Sequence, residues 1–227
     1  FNPLVTVTLY AFVFGGLAGL STEGVPHFVF YLCSNSLWSF FATCLRETSN
    51  TFTANAGIMG KVYFPRLVMP ISAVLTGMLD LIIQFGLLII VMIGYGITGT
   101  NFNLGPKLLL IPILILQTGM LGLGFGIIVA ALTTKYRDLV ILVGFGVQLW
   151  MYATPVVYTA ELIPQKYMEI YMLNPMSPIM ECWRNAVIGS GNFCWGYWWI
   201  SWGVTILVLA IGVILFSKIE KTFMDTV

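Results

Sequence analysis

The chain has 227 residues, of which 59% are hydrophobic and 8% are charged, and its mean hydropathy is +0.93. A composition this apolar excludes a water-soluble globular protein and indicates a membrane protein. The formal net charge of +1 excludes a strongly basic protein that binds nucleic acid or another polyanion.

Six apolar runs lie between breaks made by glycine, proline and charged residues, and their lengths are close to or above the ~20 residues that cross a bilayer as a helix. The runs are continuous rather than alternating in polarity, which favours helices over a β-barrel. The sequence therefore predicts an all-α integral membrane protein, with residues 1–227 forming a single transmembrane domain of six helices. The runs are Leu4 to Leu20, Phe28 to Leu45, Leu67 to Tyr95, Leu108 to Leu132, Leu139 to Tyr158 and Trp198 to Phe216.

Lysine and arginine residues indicate which helix ends face the cytoplasm, because short loops rich in these residues stay on that side. One set of ends carries twice as many of them as the other, and both chain termini belong to the richer set. We therefore expect both termini to be cytoplasmic. The richer set has Lys61, Arg66, Lys135, Arg137, Lys218 and Lys221, and the poorer set has Lys107, Lys166 and Arg184.

Two pairs of glycines in the apolar runs have the spacing that lets two helices approach closely. They are Gly15 with Gly19 and Gly122 with Gly126. We expect both pairs to form packing faces, within one subunit or between subunits.

The segment Gly60 to Pro70, GKVYFPRLVMP, combines two cations, two aromatic residues and two prolines. Aromatic residues and arginine are favoured in interfaces, so this loop and the later segment TTKYRD are typical of protein docking surfaces. Alternatively, the cations only set the topology, while Tyr63 and Phe64 lie at the lipid interface. The segment is not a nucleotide-binding P-loop, because Asn55 and Val62 stand where that loop needs glycine and serine or threonine.

Asp80 and Gln84 lie one helical turn apart in the third apolar run. An ionisable residue at this depth indicates a functional site that faces protein or a pore, because a charge in lipid is costly. The alternative is a hydrogen-bonded packing role.

The loop from Thr159 to Tyr197 is partly apolar and is interrupted by Pro175 and Pro178. This pattern predicts two short helices that form a re-entrant or interfacial hairpin between the fifth and sixth spans. The alternative is an amphipathic helix that lies on the membrane surface.

The sequence has no pattern typical of an enzyme or a metal site. It lacks a G-x-S-x-G motif, and its four cysteines lack metal-ligand spacing. Cys182 and Cys194 either pair or remain separate thiols. We expect no catalytic residue, metal or cofactor in this chain.

Four motifs follow one another along the sequence: KVYFPR at 61–66, YRD at 136–138, TPVVY at 154–158 and LNPM at 173–176. In this order they resemble the permease subunit of bacterial ABC exporters for O-antigen polysaccharide and teichoic acid. The similarity runs from the first apolar run to the C-terminus. The family has a cytoplasmic segment before its first span, and we expect that segment to be absent from this sequence.

The resemblance implies a homodimer bound to two copies of a separate ATP-binding subunit, which carries the Walker motifs and holds ATP and Mg²⁺. It implies export of a polyprenyl-diphosphate-linked glycan across the bacterial cytoplasmic (inner) membrane, without nucleic acid. The implied contacts with the ATPase are Lys61, Val62, Tyr63, Phe64, Pro65 and Arg66, with Lys135, Tyr136, Arg137 and Asp138 as a second set.

The resemblance also implies a glycan channel between two subunits and a gate at its exit. Aromatic rings that stack on sugars would line the channel, although lipid contact or core packing is the alternative for each ring. Alternative functions are teichoic acid export, export of a small molecule or drug, and a membrane-embedded enzyme or scaffold. The channel candidates are Phe14, Trp38, Phe41, Trp150 and Tyr152, and the gate candidates are Leu173, Asn174, Pro175, Met176, Ser177 and Pro178.

Overall fold

The computed structural model describes residues 2–51, 68–100, 102, 105–133, 139–191 and 194–224. All secondary structure in these residues is helical, and the prediction of an all-α membrane protein is confirmed for them. The helices are α1 (Asn2–Tyr10, continued by the π-helical segment Ala11–Leu17), α2 (His27–Ser49), α3 (Val68–Ile97), α4 (Ile111–Thr133, preceded by the 3₁₀ turn Pro106–Leu110), α5 (Leu139–Tyr152), α6 (Gln165–Met172), α7 (Met176–Val187) and α8 (Trp195–Met224).

Four helical segments of the described chain are long and apolar enough to cross a membrane. They are His27–Ser49, Val68–Ile97, Pro106–Thr133 and Trp195–Ser217. The first and fifth predicted runs form shorter apolar helices, Pro3–Leu17 and Ile141–Tyr152. The fifth run is shorter than predicted because Pro155 has no N–H to continue a helix beyond Tyr152.

Helix α2 is the centre of the bundle, and it packs against α3 and α4, while α4 packs against α8. Most residues of α2 are buried, whereas only a minority are buried in α3 and in the part of α8 from Trp195 to Ser217. The buried helix is also the least apolar of the four long ones, with Ser34, Asn35 and Ser36 among its buried residues. This distribution fits a membrane protein, because polar side chains are placed against protein and apolar ones against lipid.

The predicted close approach at Gly122 and Gly126 is confirmed, and it joins α4 to α2 within one subunit. A Cβ atom at Gly126 would lie 2.5 Å from Cβ of Thr48, and one at Gly122 would lie 2.7 Å from Cβ of Cys44. Neither position has room for a larger residue unless the helices separate.

The predicted packing face at Gly15 and Gly19 is wrong. A Cβ atom at Gly15 would meet the ring of His27 at 2.5 Å, but Gly19 has open space around it and a φ of +62°. The two residues do not share a helix face, because the helical segment already ends at Leu17.

Two short helices, α6 and α7, lie between α5 and α8, and we call this end of the bundle the hairpin end. The chain turns between them at Pro175, whereas Pro178 lies in the first turn of α7, where a missing N–H is tolerated. Helix α7 packs against α2, α4 and α8. Cys182 is buried and Cys194 is exposed, and both are free thiols.

Candidate functional site

The side chain of Asn174 connects the turn between α6 and α7 to the end of α5. Its Nδ2 donates hydrogen bonds to the carbonyl oxygen of Ala153 at 3.1 Å and to Oγ1 of Thr154 at 3.0 Å. Its Oδ1 accepts from Nε1 of Trp150 at 3.0 Å and from the N–H of Met176 at 3.2 Å. The last bond forms an Asx turn, which fixes the start of α7.

Arg184 of α7 makes a second connection to the segment that follows α5. Its Nη1 donates to the carbonyl oxygens of Pro155 at 2.8 Å and Tyr158 at 3.3 Å. Its Nη2 pairs with the carboxylate of Glu181, and its guanidinium carbon lies 4.8 Å from the ring centroid of Phe30. A fully buried guanidinium needs such partners, because an unpaired charge in the interior is strongly destabilising.

These two connections bring together two motifs that lie apart in the sequence. Asn174 of LNPM bonds to Thr154 of TPVVY, and Arg184 holds two carbonyl groups of the same TPVVY segment. The predicted gate segment and the end of the fifth apolar run are therefore joined by hydrogen bonds.

The loop between α1 and α2 also reaches the hairpin end, through Glu23. The N–H of Gly191 donates to the Glu23 carboxylate. Burial raises the pKa of Glu23, and the hydrogen bond from Gly191 and the charge of Arg184 lower the pKa part of the way back. Next to it, Asn185 accepts from Nζ of Lys107 at 2.7 Å and donates to the carbonyl oxygen of Gly191 at 2.6 Å.

The six predicted gate residues differ in exposure. Leu173 is exposed and Asn174 is half-buried, while Pro175, Met176, Ser177 and Pro178 are buried. The carbonyl oxygen of Pro175 accepts a hydrogen bond from Oγ of Ser201 on α8 at 2.7 Å. Only the first part of the predicted gate therefore has a surface that a moving ligand could touch in this conformation.

Three of the predicted channel residues pack together inside the subunit. Trp38 and Phe41 lie 5.3 Å apart by ring centroid, and Phe41 and Trp150 lie 5.2 Å apart. Phe125 of α4, which sequence reasoning missed, completes this aromatic cluster at 5.0 Å from Trp150. Trp38 and Phe41 are buried, which favours the core-packing alternative for these two residues.

The other two predicted channel residues have surface outside the core. Tyr152 at the end of α5 is 51% exposed, and Phe14 is half-buried against Tyr10 at 5.8 Å. The hydroxyl of Tyr10 donates to the sulfur of Met151 at 3.6 Å, so α1 and the end of α5 are neighbours.

A cavity of about 550 Å³ lies beside the hairpin. Its wall is almost entirely apolar and aromatic, and sequence reasoning missed it. Six of its seven lining residues come from 158–171, and Leu20 from the segment after α1 completes it. The lining residues are Leu20, Tyr158, Leu162, Ile163, Tyr167, Ile170 and Tyr171.

The structure separates Asp80 from Gln84. Asp80 is exposed on α3 and follows Ser72 and Thr76, both also exposed, at four-residue intervals on one face. Gln84 is buried on the face toward the bundle, and its side-chain oxygen has no hydrogen-bond partner among the described residues. The outward face of α3 therefore has a polar stripe in a helix that is otherwise apolar.

The predicted contacts with an ATPase, Lys61 to Arg66 and Lys135 to Asp138, lie outside the described residues. Their role stays a prediction.

Comparison with known proteins gives relatives that span nearly the whole chain. An O-antigen export system permease protein RfbA of Klebsiella pneumoniae is 27% identical over 226 residues, which are 99% of this chain and 84% of that protein. A second protein of that name from the same organism is 27% identical over 225 residues. One from Myxococcus xanthus is 26% identical over 186 residues, which are 81% of this chain and 68% of that protein.

The family comparison covers the residues of all helices from α1 to α7, including the residues that bond the hairpin to α5. The family is described as ABC-2 type transporter, and its model matches residues 1–188. Because this match takes in most of the chain, the protein belongs to the ABC-2 type transporter family.

Proposed function

We propose that this chain is the transmembrane subunit of an ATP-driven exporter of O-antigen-type polysaccharide. The cargo, linked to polyprenyl diphosphate, moves from the inner to the outer side of the bacterial cytoplasmic membrane. The observation that carries this proposal is the similarity over 99% of the chain to a protein named as an O-antigen export permease. The family match and the apolar outer faces of α3 and α8 support a membrane-embedded transport subunit rather than an enzyme.

The architecture proposed for the transporter has six spans per subunit. The shorter helices Pro3–Leu17 and Ile141–Tyr152 act as the first and fifth spans beside the four long ones. The distribution of lysine and arginine supports cytoplasmic termini, which places the hairpin end on the outer side. Trp195 and Trp199, both more than half exposed at the start of α8, fit an aromatic belt at that membrane interface.

The working complex in this proposal has two copies of the chain and two copies of an ATP-binding subunit that supplies ATP and Mg²⁺. Lys61 to Arg66 precede α3, and Lys135 to Asp138 precede α5, so a protein that contacts them acts on the first turns of two spans. Transport requires the ATP-binding subunit to bind one conformation of the permease more tightly than another.

The glycan needs a path lined by protein, because its many hydroxyl groups lose their hydrogen bonds to water in hydrocarbon. The polyprenyl tail has no such need and stays in the lipid. We place Phe14 and Tyr152 on this path, because they are the two predicted channel residues with substantial surface on neighbouring helices. Trp38, Phe41 and Trp150 support the path from inside the core.

The test is reconstitution of the chain with its ATP-binding subunit in liposomes that contain polyprenyl-linked glycan. The expected result is a complex with two copies of each subunit, and glycan that becomes accessible to an added lectin only when ATP is hydrolysed. A partner subunit with its Walker lysine replaced is the control. ATP-independent exposure of the glycan, or purification of the chain alone, would contradict the proposal.

A further inference from the structure

We infer that Asn174 is a positioning residue that makes the gate hairpin move together with the end of α5. The inference rests on the proposed function, because it assigns this residue a role within a transport cycle. The structural basis is the set of four hydrogen bonds that its carboxamide makes at the joint between α6 and α7.

The carboxamide of Asn174 is fully used. Its two N–H donors go to Ala153 and Thr154, at the end of α5, and its oxygen accepts from Trp150 and Met176. An asparagine side chain has two donors and two acceptor lone pairs, so no hydrogen-bonding capacity is left over. Three of the four bonds join the hairpin to α5 or to the residues directly after it.

The partners on α5 are themselves held firmly. The ring of Trp150 packs edge-on against Phe41 at 5.2 Å and against Phe125 at 5.0 Å. The hydroxyl of Thr154 donates to the carbonyl oxygen of Trp150 at 3.0 Å. Asn174 is therefore bonded to a rigid helix end rather than to a mobile loop.

We infer that α5 transmits movement along its length as a rigid helix. It runs for 14 residues without proline, starting at Leu139, directly after the second proposed ATPase contact. At about 1.5 Å per residue, such a helix delivers a displacement at its first turn to its last turn roughly 20 Å away. Asn174 receives that displacement at the turn of the hairpin, and Arg184 receives it in α7 through the carbonyls of Pro155 and Tyr158.

Helix α7 is also attached to the rest of the bundle. Helix α7 packs against α2, α4 and α8, and Asn185 in its last turn bonds to Lys107 and Gly191. Without the carboxamide of Asn174, the turn would lose its three bonds to α5 and to the residues directly after it. Helix α7 would then keep its bonds from Arg184 to the carbonyls of Pro155 and Tyr158. The role of Asn174 is testable, because the packing of α7 on α2, α4 and α8 depends on other residues.

The experiment uses the reconstituted complex of the full chain with its ATP-binding subunit and measures glycan exported per ATP hydrolysed. Asn174→Ala removes all four bonds. Asn174→Asp keeps the acceptor but places a carboxylate oxygen against the carbonyl of Ala153. Both are expected to lower the ratio of export to hydrolysis by roughly tenfold or more, as the loss of two or more hydrogen bonds predicts. The matched control is Asn185→Ala, the same residue type on the same hairpin without a bond to α5, which is expected to leave the ratio unchanged.

A second measurement separates a positioning role from a structural one. Hydrogen exchange, with and without a trapped nucleotide, is followed at residues 153–158 and 173–176. In the unmodified complex the two segments are expected to change together, and in Asn174→Ala only the first is expected to change. If Asn174→Ala does not fold, Trp150→Phe keeps an aromatic ring at this position, removes one of the four bonds and is expected to lower the ratio by a smaller factor.

The outcomes are distinguishable. An unchanged ratio and a joint exchange response in Asn174→Ala would overturn this inference and leave the exporter assignment intact. An unchanged ratio in Trp150→Phe, should that variant have to stand in, would do the same. No ATP-dependent export by the unmodified complex would overturn the proposed function and this inference with it.

Discussion

Trp198 of α8 donates a hydrogen bond from Nε1 to Oε1 of Gln117 on α4 at 2.9 Å. Nε2 of Gln117 donates in turn to Oγ of Ser201 at 3.0 Å, and that hydroxyl donates to the carbonyl oxygen of Pro175 at 2.7 Å. A buried chain of three hydrogen bonds thus links α4 and α8 to Pro175, the last residue of the turn before α7. Such a chain rigidifies its surroundings because every member is satisfied.

We expect Gln117→Leu to lower the free energy of unfolding by about 1–3 kcal/mol, because it removes the acceptor of Trp198 and a donor to Ser201 in the interior. Thermal unfolding in detergent, followed by tryptophan fluorescence, measures this change. Gln84→Leu is the matched control. The side-chain oxygen of Gln84 is buried without a partner in the described structure, so Gln84→Leu should leave the free energy of unfolding unchanged or raise it. Equal destabilisation by both variants would show that the network contributes nothing specific.

Gly126→Ala tests the contact between α4 and α2. The added methyl group would lie 2.5 Å from Cβ of Thr48 and 3.0 Å from the carbonyl oxygen of Leu45, so the helices must shift. We expect the free energy of unfolding to fall by about 1–3 kcal/mol, which is typical of overpacking. Gly86→Ala on α3, where nothing lies within 4 Å, should leave the free energy of unfolding unchanged or raise it by up to about 1 kcal/mol through helix propensity. Similar melting temperatures for the two variants would argue against the tight α2–α4 interface.

Arg184→Met removes the cation that pairs with the buried carboxylate of Glu181. We expect the free energy of unfolding to fall by about 3–5 kcal/mol. Replacing both residues by Met removes the charge of Glu181 as well, and should recover part of the lost free energy of unfolding. Protein yield and thermal unfolding in detergent measure both variants. A double variant no more stable than Arg184→Met would mean that the bonds from Arg184 to the carbonyls of Pro155 and Tyr158, rather than the ion pair, determine stability.

The pH dependence of stability should contain a contribution from Glu23. Burial raises the pKa of Glu23, so the folded state binds this proton more tightly than the unfolded state. Stability therefore increases as the pH falls through the raised pKa to the ordinary Glu value, and decreases as the pH rises through the same window. Glu23→Gln keeps an oxygen acceptor for the N–H of Gly191 without a charge.

We expect Glu23→Gln to melt at the same or a higher temperature than the unmodified chain at neutral pH, and to lack this part of the pH dependence. The comparison is a series of melting curves that starts below the ordinary glutamate pKa and extends to neutral pH. The neighbouring charges of Arg184, Glu181 and Glu161 are present in both proteins, so the difference reports the charge of Glu23 together with its interactions with these three residues. Parallel curves for the two proteins would contradict the expectation.

Asp80→Leu tests whether Asp80 faces lipid or instead faces water or another protein surface. Asp80 lies on the exposed face of α3, and an ionisable side chain at such a depth is expected to face water or protein. We expect Asp80→Leu to reduce ATP-dependent export in reconstituted vesicles at least severalfold, and Asp80→Asn to reduce it less, because the amide keeps a polar contact. Full export by Asp80→Leu together with a higher melting temperature would place this face against lipid.

The fold class followed from local sequence features. Continuous apolar runs predict helices in a membrane because the backbone must satisfy its own hydrogen bonds there, whatever the rest of the chain does. The break at Pro175 followed from the missing N–H of proline, and the structure has its two short helices on either side. The close approach at Gly122 and Gly126 followed from their spacing on one helix face.

The direction in which each side chain faces needed the tertiary structure. In a membrane protein, residues against lipid and residues against the core are both apolar, so periodicity does not separate them. Trp38 and Tyr152 are both aromatic residues within apolar runs of the sequence. Trp38 nevertheless lies in the aromatic cluster, whereas Tyr152 is exposed. Gly15 and Gly19 have the spacing of a packing face, but the helix ends between them.

Local patterns in the sequence were thus enough to predict a helical membrane protein. The folded structure was needed to show that Asn174 bonds to Trp150 and Thr154, 24 and 20 residues away, and that Gln117 meets Trp198 at a separation of 81 residues. The physical reason is that local patterns fix backbone conformation, whereas a hydrogen bond between distant side chains forms only where packing brings two helices to the same depth and orientation.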